Sequence, residues 1–282
     1  MKLCRFTSDG ETRIGKVVGE RIIDLSGVPG VGHSMRALLA TLPHLRATLE
    51  AASKPSFALA AVKLAAPITD AQKYLAIGMN YRAHAEEVAA AGIPTPTSQL
   101  WFNKQVSCIN GPFDNIDMPR VSDKLDYEAE LGVVIGTRCR HVKEEGALTN
   151  VAGYLVCNDV SVRDWQMRSP TFTLGKSFDT HGPIGPWITT ADEVPDPHAL
   201  TLHLDVNGEE RQRSSTADMI YNIRQQIAYL STVMTLEPGD LIATGTPSGV
   251  GVATKRYLKV GDIVRVEVDG LGFIENQVAA ES

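Results

Sequence analysis

The stretch LDYEAELGVVIG, residues 125–136, decides the reading of the fold. Taken as a β-strand, whose side chains alternate between two faces, it sets Leu125, Tyr127, Ala129, Leu131, Val133 and Ile135 on one side. Asp126, Glu128 and Glu130 fall on the other. Glu128 and Glu130 then project side by side. Adjacent carboxylates repel unless a cation sits between them. A solvated strand face explains the same pattern equally well.

Working outward, VCNDVSVRDWQ (156–166) carries Asp159 just after the nearly apolar run GYLVC. A carboxylate there is either a turn or helix cap or a ligand. Glu128, Glu130 and Asp159 together make an all-oxygen set that suits Mg²⁺, or alternatively Mn²⁺ or Ca²⁺, rather than zinc. Upstream, GMNYRAHAEEV (78–88) reads as a helix with Asn80 as N-cap and Gly92 as its stop. His84 and Glu87 stand three residues apart on it, close enough to touch. They form either a general-base pair or a surface contact. The helix is Ala-rich and followed by Pro94, so the segment from Asn80 to about Pro96 reads as a mobile lid.

Downstream, FTLGKSFDTHGPIGP (172–186) holds Lys176 in a Gly- and Pro-dense stretch. Its GKS triplet is not a nucleotide loop, because Pro170 stands where that motif needs its first glycine. A solvent-facing lysine is the plain alternative. In GDLIATGTPSGVG (239–251) a strand runs into a glycine-rich loop whose N–H groups could receive a carboxylate, with the Thr246 hydroxyl beside them. A structural turn is the alternative there, and GVPGVG at 27–32 reads as a turn.

The chain has 282 residues, 43% hydrophobic and 21% charged, with 27 basic and 33 acidic residues for a net charge of −6. That balance allows a large core and speaks against a nucleic-acid partner. The cysteines, Cys4, Cys108, Cys139 and Cys157, form no CxxC pair, which points to reduced thiols in the cytoplasm. No apolar run reaches membrane-spanning length, so no membrane partner is expected. KLCRF, TRIGKVV and ERIIDL are short strands of a small N-terminal domain, residues 1–68, followed by a helix at MRALLATLPHLRATLEAA broken at Pro43. Residues 69–282 form the larger domain, with strands at KYLAIGMN, VAGYLVCNDVSV, GPWITT, LTLHLDVNG, GDLIATG and GDIVRVEVDG. One strong helix, STADMIYNIRQQIAYLSTVMTL, interrupts them, with Met219, Ile220, Ile223, Ile227, Leu230 and Met234 at helical spacing. The sum is a β-rich α+β protein.

From about Lys73 to Phe273 these motifs follow one another in an order that resembles the fumarylacetoacetate hydrolase family. They are G-x-N-Y-x-x-H-x-x-E, F-x-K-x-x-S with a later G-P, D-Y-E-x-E-L, N-D-V-S-x-R-D-x-Q, G-K-S-F-D-T and T-G-T-P-x-G-V-G. The resemblance implies a β-roll catalytic domain and a homodimer. It implies a metal on Glu128, Glu130 and Asp159, a water-activating pair His84 and Glu87, and Lys176 opposing negative charge or moving a proton. Lys104, Arg163, Gln166 and Thr246 would hold a small 2-oxo acid. Ile77 stands where the large eukaryotic members carry an extra Asp ligand, so the site resembles the three-carboxylate sites of smaller, bacterial members. The implied reaction is hydrolysis of a 2,4-dioxo acid of the acylpyruvate type to pyruvate, or a substituted pyruvate, and a carboxylic acid. Oxaloacetate decarboxylation, or isomerisation or hydration of a dienoic 2-oxo acid, is the alternative on the same site.

Overall fold

Residues 1–90, 92 and 94–281 are described by the structure, a computed structural model. The Asp-Gly turn after the first strand has positive φ at both residues, 53° at Asp9 and 78° at Gly10. That backbone matches the twist of a tight hairpin, and Lys2–Ser8 pairs antiparallel with Glu11–Val18. Arg21–Asp24 and Ser56–Ala58 extend the pairing on one side. On the other, Lys2–Ser8 hydrogen-bonds Gly182–Thr190. The same 12-stranded sheet runs on through Val151–Asn158, Ala129–Ile135, Leu241–Ala243 and Tyr74–Gly78 to Leu100–Lys104. Backbone pairing thus ties residues 2–8 directly to the larger part of the chain.

A second sheet of five strands, Glu209–Ser215, Thr201–Val206, Ile263–Val268, Gly272–Ala280 and Ile116–Met118, lies against the first. The expected alternation at 125–135 holds: Leu125, Tyr127, Ala129, Leu131, Val133 and Ile135 all enter one apolar cluster shared with the second sheet. Val134 on the reverse face packs with Leu155 and with Leu38, Leu39 and Leu42 of the helix Met35–Ala51. Each fully buried aliphatic side chain contributes about 1.5–3 kcal/mol, so both faces of Ala129–Ile135 are held firmly. The chain is β-rich α+β, and no helix among the described residues is long and apolar enough to cross a membrane.

Three local expectations are corrected. Pro43 does not break its helix, which runs unbroken from Met35 to Ala51. The proline removes one N–H, but buried Leu38, Leu39, Leu42 and Leu49 hold both halves against the core. The later helix begins only at Ile223, because Asn222 caps it through Gln225 in a reciprocal pair of hydrogen bonds. Met219 is spent instead on a bridge to Tyr81. Finally, 125–135 is not one strand: Leu125–Asp126 and Ala129–Ile135 are separate elements.

Candidate active site

The interruption at Tyr127–Glu128 builds the site. With no neighbouring strand there, three successive N–H groups turn to side chains. Tyr127 N–H donates to Asp126 Oδ1 (2.8 Å), Glu128 N–H to Asn158 Oδ1 (3.0 Å) and Ala129 N–H to Gln212 Oε1 (2.8 Å). The Asp159 N–H donates to the Glu128 carbonyl, which sets the end of Val151–Asn158 beside it. Glu128, Glu130 and Asp159 converge, each offering an oxygen within 4.8 Å of the others. They are 6%, 1% and 0% exposed, which removes the solvated-face reading.

Buried cations compensate part of this charge. Lys176 Nζ donates to Glu128 Oε2 (2.7 Å) and Asp159 Oδ2 (2.8 Å). It is 1% exposed, not a surface lysine. An ammonium has three donors, so one remains for a ligand. Lys104 Nζ donates to Asp159 Oδ1 at 2.7 Å. Arg163 Nη2 lies 2.7 Å from Glu128 Oε1, while its Nε donates to Asp126 Oδ2 at 2.7 Å. Burial alone would raise the Glu128 carboxyl, but Lys176 and Arg163 outweigh it and hold it at about 2. Glu130 goes the other way. Burial first, then the charges of Asp159 and Glu128, push its carboxyl well above the ordinary range. Gly245 N–H, at 2.7 Å from Oε2, is the hydrogen bond it accepts among the described residues. A divalent cation among these hard oxygens fits the donor set and relieves the Glu130 repulsion.

The glycine-rich loop does receive carboxylates, and they are the protein's own. Gly245 N–H holds Glu130, Gly249 N–H holds Glu87 Oε1 (3.1 Å), and the Gly251 and Val252 N–H groups hold the two oxygens of Asp126 (2.7 and 2.8 Å). Gly249 has φ +99°, and a Cβ there would meet the Arg211 carbonyl oxygen at 2.1 Å, so only glycine fits this path.

Glu87 Oε2 lies 2.9 Å from His84 Nδ1. A carboxylate only accepts, so Nδ1 carries the proton and Nε2 is left as the basic nitrogen. Their helix, Arg82–Ala90, buries His84 and Ala85. Asn80 is not its cap. That side chain is fully buried and donates to the Thr244 and Tyr221 carbonyls while accepting from the Tyr221 N–H. Within the proposed lid, residues 91 and 93 lie outside the described residues.

A cavity of about 230 Å³ is lined by His84, Glu128, Arg163, Gln166, Lys176 and Thr246, with apolar side chains completing the wall. The chain thus brings together residues that run from His84 to Thr246 in the sequence. Lys104 is not on that wall; it lies behind Asp159. Sequence reading missed Gln212, 1% exposed, which accepts from Ala129 N–H and donates to Thr246 Oγ1 and the Pro247 carbonyl (both 2.9 Å). It is the one buried residue of the otherwise polar strand Glu209–Ser215, and nothing in that composition marks it. Because Thr246 Oγ1 accepts from Gln212, its own hydrogen is free to point at a ligand. Gln212→Leu leaves the Ala129 N–H unpaired, at about 1–3 kcal/mol. It should lower Tm by roughly 2–12 °C and raise KM more than it lowers kcat, read by thermal melts and substrate titration.

A buried carboxylate cluster that accepts a divalent cation, with a carboxylate-backed histidine and a lysine on the same cavity, defines a metal-dependent enzyme. The comparisons agree. The model of the fumarylacetoacetate (FAA) hydrolase C-terminal domain matches residues 73–279. A Burkholderia cenocepacia protein, provisionally named a hydrolase, is 46% identical over 278 residues, 96% of each chain. A maleylpyruvate hydrolase from Sphingobium sp. SYK-6, solved with manganese(II) and pyruvate, is 34% identical with TM-score 0.85 over 100% of both chains. A 2-hydroxyhepta-2,4-diene-1,7-dioate isomerase from Mycobacterium marinum is 32% identical with TM-score 0.80, over 100% of this chain and 99% of its own. The chain belongs to the fumarylacetoacetate hydrolase family.

Proposed function

We propose that this enzyme hydrolyses the C3–C4 bond of a small 2,4-dioxo acid of the acylpyruvate type, with Mg²⁺ as its metal and Mn²⁺ able to serve. The observation that carries the reading is His84, which faces the same cavity as Glu128 and Lys176 and is backed by Glu87, itself tied to Gly249. Once bound by Glu128, Glu130 and Asp159, the cation supplies a Lewis acid for the 2-oxo acid head. His84 Nε2 takes a proton from water, and Glu87 steadies the imidazolium that results. The hydroxide oxygen adds at C4 and stays in the departing carboxylic acid. The C3–C4 electron pair leaves as the enolate of pyruvate, which takes its proton at C3. The free N–H of Lys176 opposes the negative charge that develops. Thr246 O–H, held by Gln212, donates to the head of the substrate.

The test is incubation of an acylpyruvate with the protein and Mg²⁺ or Mn²⁺, with pyruvate measured as product. Release of pyruvate that EDTA stops supports the reading; none with either metal removes it. An isomerase or decarboxylase on the same site is favoured to the extent that His84–Glu87 can move a proton without water, and the isomerase relative keeps that reading in view. Product analysis with oxaloacetate and a dienoic 2-oxo acid separates them. The proposal includes a homodimer. Sedimentation at micromolar protein should give twice the 30.5 kDa chain mass, and a stable monomer overturns it.

A further inference from the structure

The polar side chains His84, Glu128, Arg163, Gln166, Lys176 and Thr246 share the cavity wall with apolar ones. His84, Glu128 and Lys176 gather where the metal ligands lie, while Ile77, Val88, Leu100, Phe172, Met167 and Val252 supply apolar wall. The apolar character continues to the rim, where Met167 is 69% and Val252 40% exposed. Among the described residues that line the cavity, the permanent cations are Arg163 and Lys176. Both are already paired with two carboxylates each. Arg163 Nε donates to Asp126 Oδ2 (2.7 Å) and Nη1 to Gln166 Oε1 (2.9 Å), while Nη2 lies 2.7 Å from Glu128 Oε1. Lys176 is held between Glu128 and Asp159, its Nζ 4.9 Å from the Phe102 ring centroid. A carboxylate on the far end of a substrate would lose its water against this wall and meet no lining cation that is not already paired with carboxylates, which is costly.

We propose that the enzyme selects acylpyruvates whose acyl group is short, uncharged and apolar, and rejects those that end in a second carboxylate. This rests on the acylpyruvate reading above and adds what the C4 substituent must be. It also sets this chain apart from what the names of its relatives say of them, since maleylpyruvate and a heptadiene-1,7-dioate each carry a distal carboxylate.

The test is a matched pair, butanoylpyruvate and succinylpyruvate, which differ only in a terminal methyl or carboxylate. With Mn²⁺-loaded protein, kcat/KM should favour butanoylpyruvate by about 10²-fold, and calorimetric Kd should follow in the same direction. Leu100→Arg gives the converse. Leu100 is half-buried on the strand Leu100–Lys104, so an arginine there keeps its head near water and folding is preserved. It should raise kcat/KM for succinylpyruvate at least about 10-fold and lower that for butanoylpyruvate. Wild-type protein that cleaves succinylpyruvate as well as butanoylpyruvate overturns the selectivity and leaves the hydrolase standing. Preferential binding of butanoylpyruvate without cleavage of either acid keeps the selectivity and removes the hydrolase. Failure to bind either acid removes both.

Discussion

Glu130→Gln should all but abolish turnover of acylpyruvates and weaken Mg²⁺ or Mn²⁺ binding beyond the ~10–100-fold that loss of an outer-shell partner costs. The amide keeps the size of the side chain and still accepts the Gly245 N–H, so the Thr244–Gly245 turn stays in place. What it removes is one of three converging anionic oxygens. Glu130 is also the member of the cluster that burial and its neighbours strain most, since its carboxyl is driven well above the ordinary range while that of Glu128 is held at about 2. The metal-free variant should therefore melt no lower than metal-free wild type, because it sheds a buried repulsion. Calorimetric metal titration and thermal melts with and without EDTA read both effects. Unchanged metal affinity would place the cation elsewhere. A large loss of metal-free stability would make Glu130 a structural residue.

His84→Ala should lower hydrolysis by ~10²–10⁴-fold, the range for a lost general base, with metal affinity nearly intact. The separation follows from the chain path. The metal ligands sit on Ala129–Ile135, on the Tyr127–Glu128 break and at the end of Val151–Asn158, whereas His84 sits on Arg82–Ala90. Glu87→Gln should also lower the rate, because the amide keeps one acceptor oxygen, cannot accept from both Gly249 N–H and His84 Nδ1–H, and no longer stabilises the imidazolium. Steady-state rates beside metal titrations decide the matter. A wild-type rate in His84→Ala would remove the general-base role. Loss of acylpyruvate hydrolysis with oxaloacetate decarboxylation retained would tie His84 to water activation alone.

Local periodicity made much of this legible. Alternation at 125–135 put the correct residues into the core and Glu128 and Glu130 on the opposite face, even though the strand is interrupted at Tyr127–Glu128. The i, i+3 spacing of His84 and Glu87 and the Asp-Gly turn at residues 9–10 were equally readable. These features are set by rules that act within a few residues, through dihedral preference and side-chain direction. The motif order added the family, which no single spacing could have done. Long-range pairing was not readable. Lys176, for which a solvent-facing lysine was the plain alternative, and Lys104, expected to hold substrate, are buried ion-pair partners. The loop N–H groups at Gly245, Gly249 and Gly251 looked open to a substrate carboxylate and are taken by Glu130, Glu87 and Asp126. Gln212 braces a strand 83 positions away and cannot be told from its exposed neighbours in sequence. Sequence by itself determined which residues share a face and which chemistry they can do. The tertiary structure alone decided which buried charge meets which donor, because in a low-dielectric interior that choice depends on where distant segments cross.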